Sequence, residues 1–182
     1  MQRVLVLGCS GAGKSTFSQR LAAITGLPRV ELDVVFWRPG WVETPREEWL
    51  AVVAKLCEQP AWILDGNYSA TIHIRLPRAD TVILLDYPRH ICLRRGLMRV
   101  AGNYGRVRKD YAPGCPEHFN LEFIRYIWNF NKRSKPRLLA ALETYGAHVV
   151  VHRVTSDDDV DSLLAEFSSR LAEMSGAMPR EA

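Results

Sequence analysis

Residues 8–15 read Gly8-Cys9-Ser10-Gly11-Ala12-Gly13-Lys14-Ser15 and match the phosphate-binding pattern G-x-x-x-x-G-K-[ST] at every fixed position. Its glycines let the backbone turn N–H groups inward around an anion, and the N-terminus of a following helix adds partial positive charge. Lys14 is then set to reach the β and γ phosphates of a nucleoside triphosphate, and the Ser15 hydroxyl to ligate Mg2+. Gly8, Ser10, Gly11, Ala12, Gly13, Lys14, Ser15 and Thr16 are accordingly expected to wrap a bound ATP. A glycine-rich turn without a ligand is the competing reading. Context argues against it, because Arg3-Val4-Leu5-Val6-Leu7 is an apolar run suited to a buried parallel strand and a helix is predicted from Ser15 onward.

A transferring phosphoryl group takes little covalent help from protein, so its chemistry needs placed charge. Two later apolar runs end in carboxylates. Ala61-Trp62-Ile63-Leu64-Asp65-Gly66 places Asp65 to hold Mg2+ through water, while Thr81-Val82-Ile83-Leu84-Leu85 closes on Asp86, a rival for the metal. Asp65 is favoured because its strand is expected beside the phosphate-loop strand. Basic residues fall in two clusters, Arg89, Arg94, Arg95, Arg99, Arg106, Arg108 and Lys109, then Arg125, Lys132, Arg133, Lys135 and Arg137. Such clustering suits a polyanion, either a pair of nucleotides or a nucleic-acid backbone. For the second cluster a solvated helix face fits equally well. Trp37, Trp41 and Tyr68 offer rings on which a flat ligand can stack, or anchors that pack on the core; the histidines show no ligand spacing.

The elements that must position these groups follow from periodicity and breakers. Phe17, Leu21 and Ile24 share a helix face that Gly26 and Pro28 end, and Arg29 to Leu32 is a short strand closing on Asp33. Residues 33–41, rich in aromatic and turn residues, are expected as a loop over the carboxyl ends of the strands, where open α/β sheets bind ligands. Thr44-Pro45-Arg46-Glu47 reads as a capping box opening a helix that buries Trp49, Val52, Val53 and Leu56. Residues 67–75 are expected as a short helix carrying Tyr68 and Arg75 toward a substrate, and Pro88 as the start of a helix through Arg99. Glycines and prolines among basic residues make 100–118 a mobile lid. A helical pattern over 117–142, with Phe119, Phe123, Ile127, Phe130, Leu138, Leu139 and Leu142 available to bury, must restart or kink at Pro136. A last strand, Ala147-His148-Val149-Val150-Val151, precedes a helix capped by Ser156, and 176–182 is expected to fray. Five apolar strands separated by helices define a doubly wound parallel α/β sheet in one domain, 1–175.

Composition sets the outer limits. The 182 residues are 47% hydrophobic, enough for one substantial core. Net charge is +4. No leader pattern opens the sequence and no apolar run nears the roughly 20 residues a membrane helix needs, so a cytoplasmic protein is expected. The cysteines, Cys9, Cys57, Cys92 and Cys115, form no C-x-x-C pair, which argues against a metal centre or disulfide framework. Asn129-Phe130-Asn131-Lys132 superficially suggests a guanine-reading motif, but Ser134 stands where it requires Asp, so a GTPase is disfavoured.

The phosphate loop, the segment from Leu32-Asp33 to Trp41, Leu64-Asp65-Gly66-Asn67-Tyr68, Leu85-Asp86-Tyr87-Pro88 and Ala112-Pro113-Gly114-Cys115-Pro116-Glu117 together resemble P-loop kinases of the adenylate kinase-like group. They resemble most closely the small bacterial DNA topology modulation or adenylate kinase-related proteins. The resemblance implies a three-layer sandwich with sheet order 2-3-1-4-5, a helical lid region, and transfer of the γ-phosphoryl group from ATP with Mg2+. It further implies that Asp33 binds the acceptor hydroxyl and acts as base, and that Arg95 and Arg99 clamp phosphates beside Lys14. Ser15 and Asp65 would hold the metal. Related monophosphate kinases continue Asp-Gly with Phe-Pro-Arg, where this chain has Asn67-Tyr68-Ser69, so a hydroxyl acceptor on a nucleoside- or metabolite-like molecule is favoured over a nucleoside monophosphate. The alternatives are a nucleotide-binding, DNA-associated regulator of DNA topology and an ATPase that only hydrolyses. A monomer or homodimer is compatible with each.

Overall fold

The computed structural model describes residues 1–107 and 112–176. Its frame is a five-stranded, all-parallel sheet of β1 (Arg3–Gly8), β2 (Arg29–Glu31), β5 (Trp62–Asp65), β6 (Thr81–Leu85) and β7 (Val150–Val154). Its spatial order is β2-β5-β1-β6-β7. Counting these strands along the chain, that is the expected 2-3-1-4-5. β1 is central, and its alternation divides the core. Val4 and Val6 face a cluster with Phe17 and Leu21 of α1 (Lys14–Thr25) and Leu163 and Phe167 of α7 (Asp157–Gly176). Leu5 and Leu7 face one with Trp49 and Val53 of α3 (Arg46–Glu58). Two apolar faces on one sheet require helices on both sides, hence three layers.

Several expectations are corrected. Residues 33–41 are no open loop: Leu32–Phe36 forms a short helix, α2, and Trp37–Arg38 (β3) pairs antiparallel with Val42–Glu43 (β4). Thr44 does not cap α3, whose N-cap is Pro45 without a side-chain bond; its hydroxyl donates to the Phe36 carbonyl at 2.6 Å and closes the hairpin. Residues 67–75 fold as a 3-10 turn, Ser69–Thr71, and one turn of helix, α4 (Ile72–Arg75). Helix α5 runs Arg89–Asn103, four residues beyond the expected end, because Val100 is still buried; the first part of the supposed lid is therefore helix. Beyond it, Tyr104 bridges to Glu117 and Val107 to Pro116, while 108–111 lies outside the described residues.

Helix α6 spans Leu121–Tyr145 with Pro136 inside it, neither restarted nor ended. Burial of Ile127 and Phe130 before the proline and Leu142 after it outweighs the roughly 3 kcal/mol that an interior proline costs. Because α6 consumes more chain than expected, the final strand is Val150–Val154 rather than 147–151, and as an edge strand it leaves Val150 and Val151 exposed. Phe119 and Leu139, expected to bury, are exposed as well. The Ser156 cap holds, its hydroxyl accepting from Asp159 N–H at 3.1 Å. Of the tail, Gly176 ends α7 and the remainder lies outside the described residues. No described helix is long and apolar enough to cross a membrane.

Candidate functional site

The glycine-rich stretch joins β1 to α1 at the carboxyl end of the central strand, and its backbone does what its composition requires. Gly11 has φ +82° and a hypothetical Cβ there would stand 2.2 Å from the Cys92 carbonyl oxygen. Only glycine fits that approach. Lys14 Nζ donates to the Cys9 carbonyl at 3.2 Å, folding back over the loop. Beside it, Asp65 at the end of β5 is 4% exposed and accepts from the Ser18 hydroxyl at 3.1 Å. Burial pushes the Asp65 carboxyl above the usual range, offset in part by the Lys14 charge and by a hydrogen bond from Ser15. Asp86 is otherwise engaged: Lys135 Nζ and Arg153 Nε each donate to it at 2.7 Å. Cys9 is buried, and a hydrogen bond with the Cys92 thiol, then burial, push its own thiol up.

Two cavities open on either side of Lys14. One, of about 980 Å³, is lined by Gly11, Gly13, Ser15, Thr16, Arg95 and other residues of the phosphate loop, α1 and β2. The second, of about 580 Å³, is walled by Asp33, Trp37, Trp41, Tyr68, Phe123 and Tyr126 among others. Lys14 and Arg99 border both. The phosphate loop thus lines the first cavity together with side chains of α1, β2, α2 (Val34, Val35) and α5, while the second is walled mainly by aromatic and polar side chains, with Lys14 and Arg99 shared between them.

The expected residues are placed unequally. Asp33, on α2, enters the second cavity and accepts from the Tyr68 hydroxyl at 2.6 Å. Arg99, on α5, lies 3.1 Å through Nε from buried Glu117, a charge contact without hydrogen-bond alignment, and over the Phe123 ring at 5.2 Å. Arg95 reaches the first cavity, but its guanidinium donates to both oxygens of Asp157, at 2.7 and 2.9 Å, and lies 4.8 Å from the Tyr87 ring centroid. Arg95 thus lines that cavity while paired with Asp157.

Three residues that sequence reasoning passed over or misplaced hold the site together. The Asn67 side-chain amide pairs with the first residue of the phosphate loop: Gly8 N–H donates to Oδ1 at 3.0 Å and Nδ2 donates to the Gly8 carbonyl at 2.7 Å. Nδ2 also meets the Tyr126 hydroxyl at 3.0 Å, tying loop and second cavity together. Arg75, expected near substrate, is fully buried and donates to the carbonyls of Gly66, Asn67 and Tyr68. Desolvation lowers its guanidinium to about 10. Those bonds fix Tyr68 at φ +32°, a left-handed backbone whose cost of order 1–3 kcal/mol the surroundings must supply. Glu117 is the third, its burial created by Arg99 from another element. Asn67 had a signal, the departure from Phe after Asp65-Gly66; Glu117 had only its place in the segment 112–117 that carries the resemblance, which said nothing of Arg99.

Among solved structures, shikimate kinases share this architecture. The enzyme from Acinetobacter baumannii, solved in complex with shikimate, matches with a TM-score of 0.59 at 15% identity over 98% of this chain and 96% of that one. The one from Bacteroides thetaiotaomicron gives 0.51 at 15% identity over 94% and 98%. Likeness at that identity is a likeness of fold: the chain shares with them an α/β architecture built on a parallel sheet. No protein-family model matches the sequence, nor does any curated protein.

Proposed function

We propose that the protein is an ATP-dependent kinase that phosphorylates a hydroxyl of a small molecule. The observation carrying this reading is that a phosphate loop and a separate, carboxylate-bearing cavity share Lys14 and Arg99 at their boundary. A triphosphate on residues 8–16 would direct its γ-phosphoryl group at that boundary. The acceptor oxygen attacks the γ phosphorus while its proton passes to the Asp33 carboxylate. The bond from that phosphorus to the β,γ-bridging oxygen breaks with its electron pair, and ADP and a phosphate monoester leave. Asp33 serves as base and orienter, held by Tyr68; Lys14 and Arg99 stabilise charge on the transferring group, and Arg95 lines the donor cavity.

Mg2+ suits the residues present. The Ser15 hydroxyl beside a buried Asp65 is the sparse protein donor set of an ion shared with phosphates, and no three-residue cluster for an all-protein site exists among the described residues. Ser15 and Asp65 would hold it, and when bound it supplies positive charge to the phosphate oxygens. The nucleic-acid reading is the weaker one, because Arg89 stacks on Trp128, Arg95 and Arg99 pair with carboxylates, and Lys135 pairs with Asp86. Four buried free cysteines support the cytoplasm as its location.

Transfer of labelled phosphate from ATP to a panel of hydroxylated metabolites tests the proposal. Replacing Asp33→Asn is expected to cut kcat by about 10^2-fold or more with ATP affinity near normal. Phosphate released to water at the same rate with and without every acceptor would identify a hydrolase instead.

A further inference from the structure

We infer that the acceptor cavity is built for an uncharged flat ring bearing an alcohol, such as a nucleoside, rather than for a saturated or anionic polyol. This rests on the kinase reading above and sharpens it. Two independent features of the cavity point the same way.

The first is its walls. Trp37 and Trp41 enter from the β3–β4 hairpin, Tyr68 from the turn after β5, and Phe123 and Tyr126 from α6, so aromatic groups from three separate parts of the fold converge on one space. Two of them also reach the core: Tyr68 packs on Phe36 and Trp49 at 4.8 and 5.0 Å between ring centroids, and Trp37 meets Phe36 edge-on at 5.0 Å. Trp37 and Trp41 remain half-buried on the cavity side, edge-to-face with each other at 5.4 Å. Among the described residues the only non-glycine residues with positive φ are Trp41, at +62°, and Tyr68, and both line this cavity. Backbone strain gathered at one cavity is characteristic of a binding site. The strained rings are also held in place: Trp41 Nε1 donates to the Pro116 carbonyl at 3.0 Å and Gly40 N–H to the Gly114 carbonyl at 2.9 Å.

The second feature is charge. Among the described residues the cations lining this cavity are Lys14 and Arg99, and both also line the donor cavity. They lie where phosphate transfers. Among the described residues the remaining polar wall is Ser10, Asp33, Asn67, Glu117, His118 and Asn120, which offers two carboxylates, two amides, a hydroxyl and an imidazole but no further lysine or arginine to an acceptor's far end. An anionic acceptor would place its carboxylate against aromatic faces and carboxylates, whereas a neutral ring stacks there and presents its alcohol to Asp33.

The full chain, saturated with Mg2+ and a non-hydrolysable ATP analogue so that the donor cavity is filled, is titrated calorimetrically with three sets of probes: cytidine, guanosine and pyridoxine; glycerol, ribose and myo-inositol; shikimate and quinate. Binding confined to the first set is expected. Trp37→Leu and Trp41→Leu should each weaken it about 5- to 150-fold, with Trp41→Phe restoring most of the affinity and analogue binding unchanged throughout as the check on folding. Binding by shikimate or the saturated polyols in place of the ring compounds, or by none of the ring compounds, overturns the inference. Parallel transfer assays with ATP read the kinase proposal separately. Phosphorylation of a polyol leaves that proposal standing while the ring inference falls, and ring binding without transfer to any ring compound reverses the outcome.

Discussion

The two cavities beside Lys14 are made of different material. Within the donor wall, the phosphate loop owes its shape to main chain: glycines at positive φ, a helix N-terminus, and a loop that turns back on β1 within a few residues. The acceptor wall is almost wholly side chain, drawn from α2, the β3–β4 hairpin, the turn after β5, α5 and α6. A backbone cradle recognises what every nucleoside triphosphate shares, its phosphates, whereas a wall of side chains can be retuned one residue at a time. The same fold can therefore keep its donor and exchange its acceptor, and a match to shikimate kinases in architecture leaves the acceptor open.

The sharpest way to separate the halves is Arg75→Met. Loss of the guanidinium leaves the buried carbonyls of Gly66, Asn67 and Tyr68 without their donor, and a loss of about 2–4 kcal/mol in denaturant unfolding is expected. Acceptor KM should rise as Tyr68 leaves its left-handed conformation, while ATP affinity changes little. Equal loss of both affinities would mean that the two walls are not separable.

Within the donor wall, Gly11→Ala and Gly13→Ala test whether backbone alone makes the cradle. Both glycines have positive φ, but a Cβ on Gly11 meets the Cys92 carbonyl at 2.2 Å while one on Gly13 meets nothing within 4 Å. Alanine at 13 should cost only the left-handed penalty of about 1–2 kcal/mol, and alanine at 11 about 1–3 kcal/mol more from overpacking, with a matching loss of triphosphate affinity by calorimetry. Similar costs at both positions would deny that α5 buttresses the loop.

Asp80, far from both cavities at the opening end of β6, provides the smallest effect and a control. Burial raises its carboxyl, but bonds from the Thr81 hydroxyl and the N–H groups of Arg3 and Gln2 outweigh it, so the net pKa lies below the ordinary 3.8. A depressed folded pKa gives stability that is present above the ordinary carboxyl range and is lost as pH falls through the folded value. Asp80→Asn should thus be less stable at neutral pH, with the deficit closing on acidification below about 3.8, and with transfer kinetics unchanged. A deficit that persisted undiminished in acid would assign it to packing.

How much could be read in advance follows the same division between backbone and side chains. Residues 8–15 are contiguous, their glycines are demanded locally, and the strand before and helix after them are signalled by their own periodicity; the phosphate loop and the strands are therefore carried by short-range information, whereas the sheet order, set by long-range pairing, was expected only from the resemblance. Asp33 and Asp65 were legible as carboxylates ending strands. Thr44 was misread because its capping pattern is local whereas its true partner, Phe36, is set by the hairpin. Pro136 does not start a new helix, one of the two outcomes expected there, because the penalty for an interior proline is local and the burial that overrides it is not.

What the sequence by itself determined, then, is the phosphate-loop motif and the parallel strands that present it, since both rest on patterns and periods spanning a few neighbouring residues. Only the tertiary structure decided the acceptor half: that Arg75 is a buried brace rather than a substrate contact, that Asn67 ties the phosphate loop to Tyr126, that Arg99 meets Glu117, and that Trp37, Trp41, Tyr68, Phe123 and Tyr126 share one cavity. Each of those contacts depends on burial and on packing between elements. Such energies have no value until the elements are assembled.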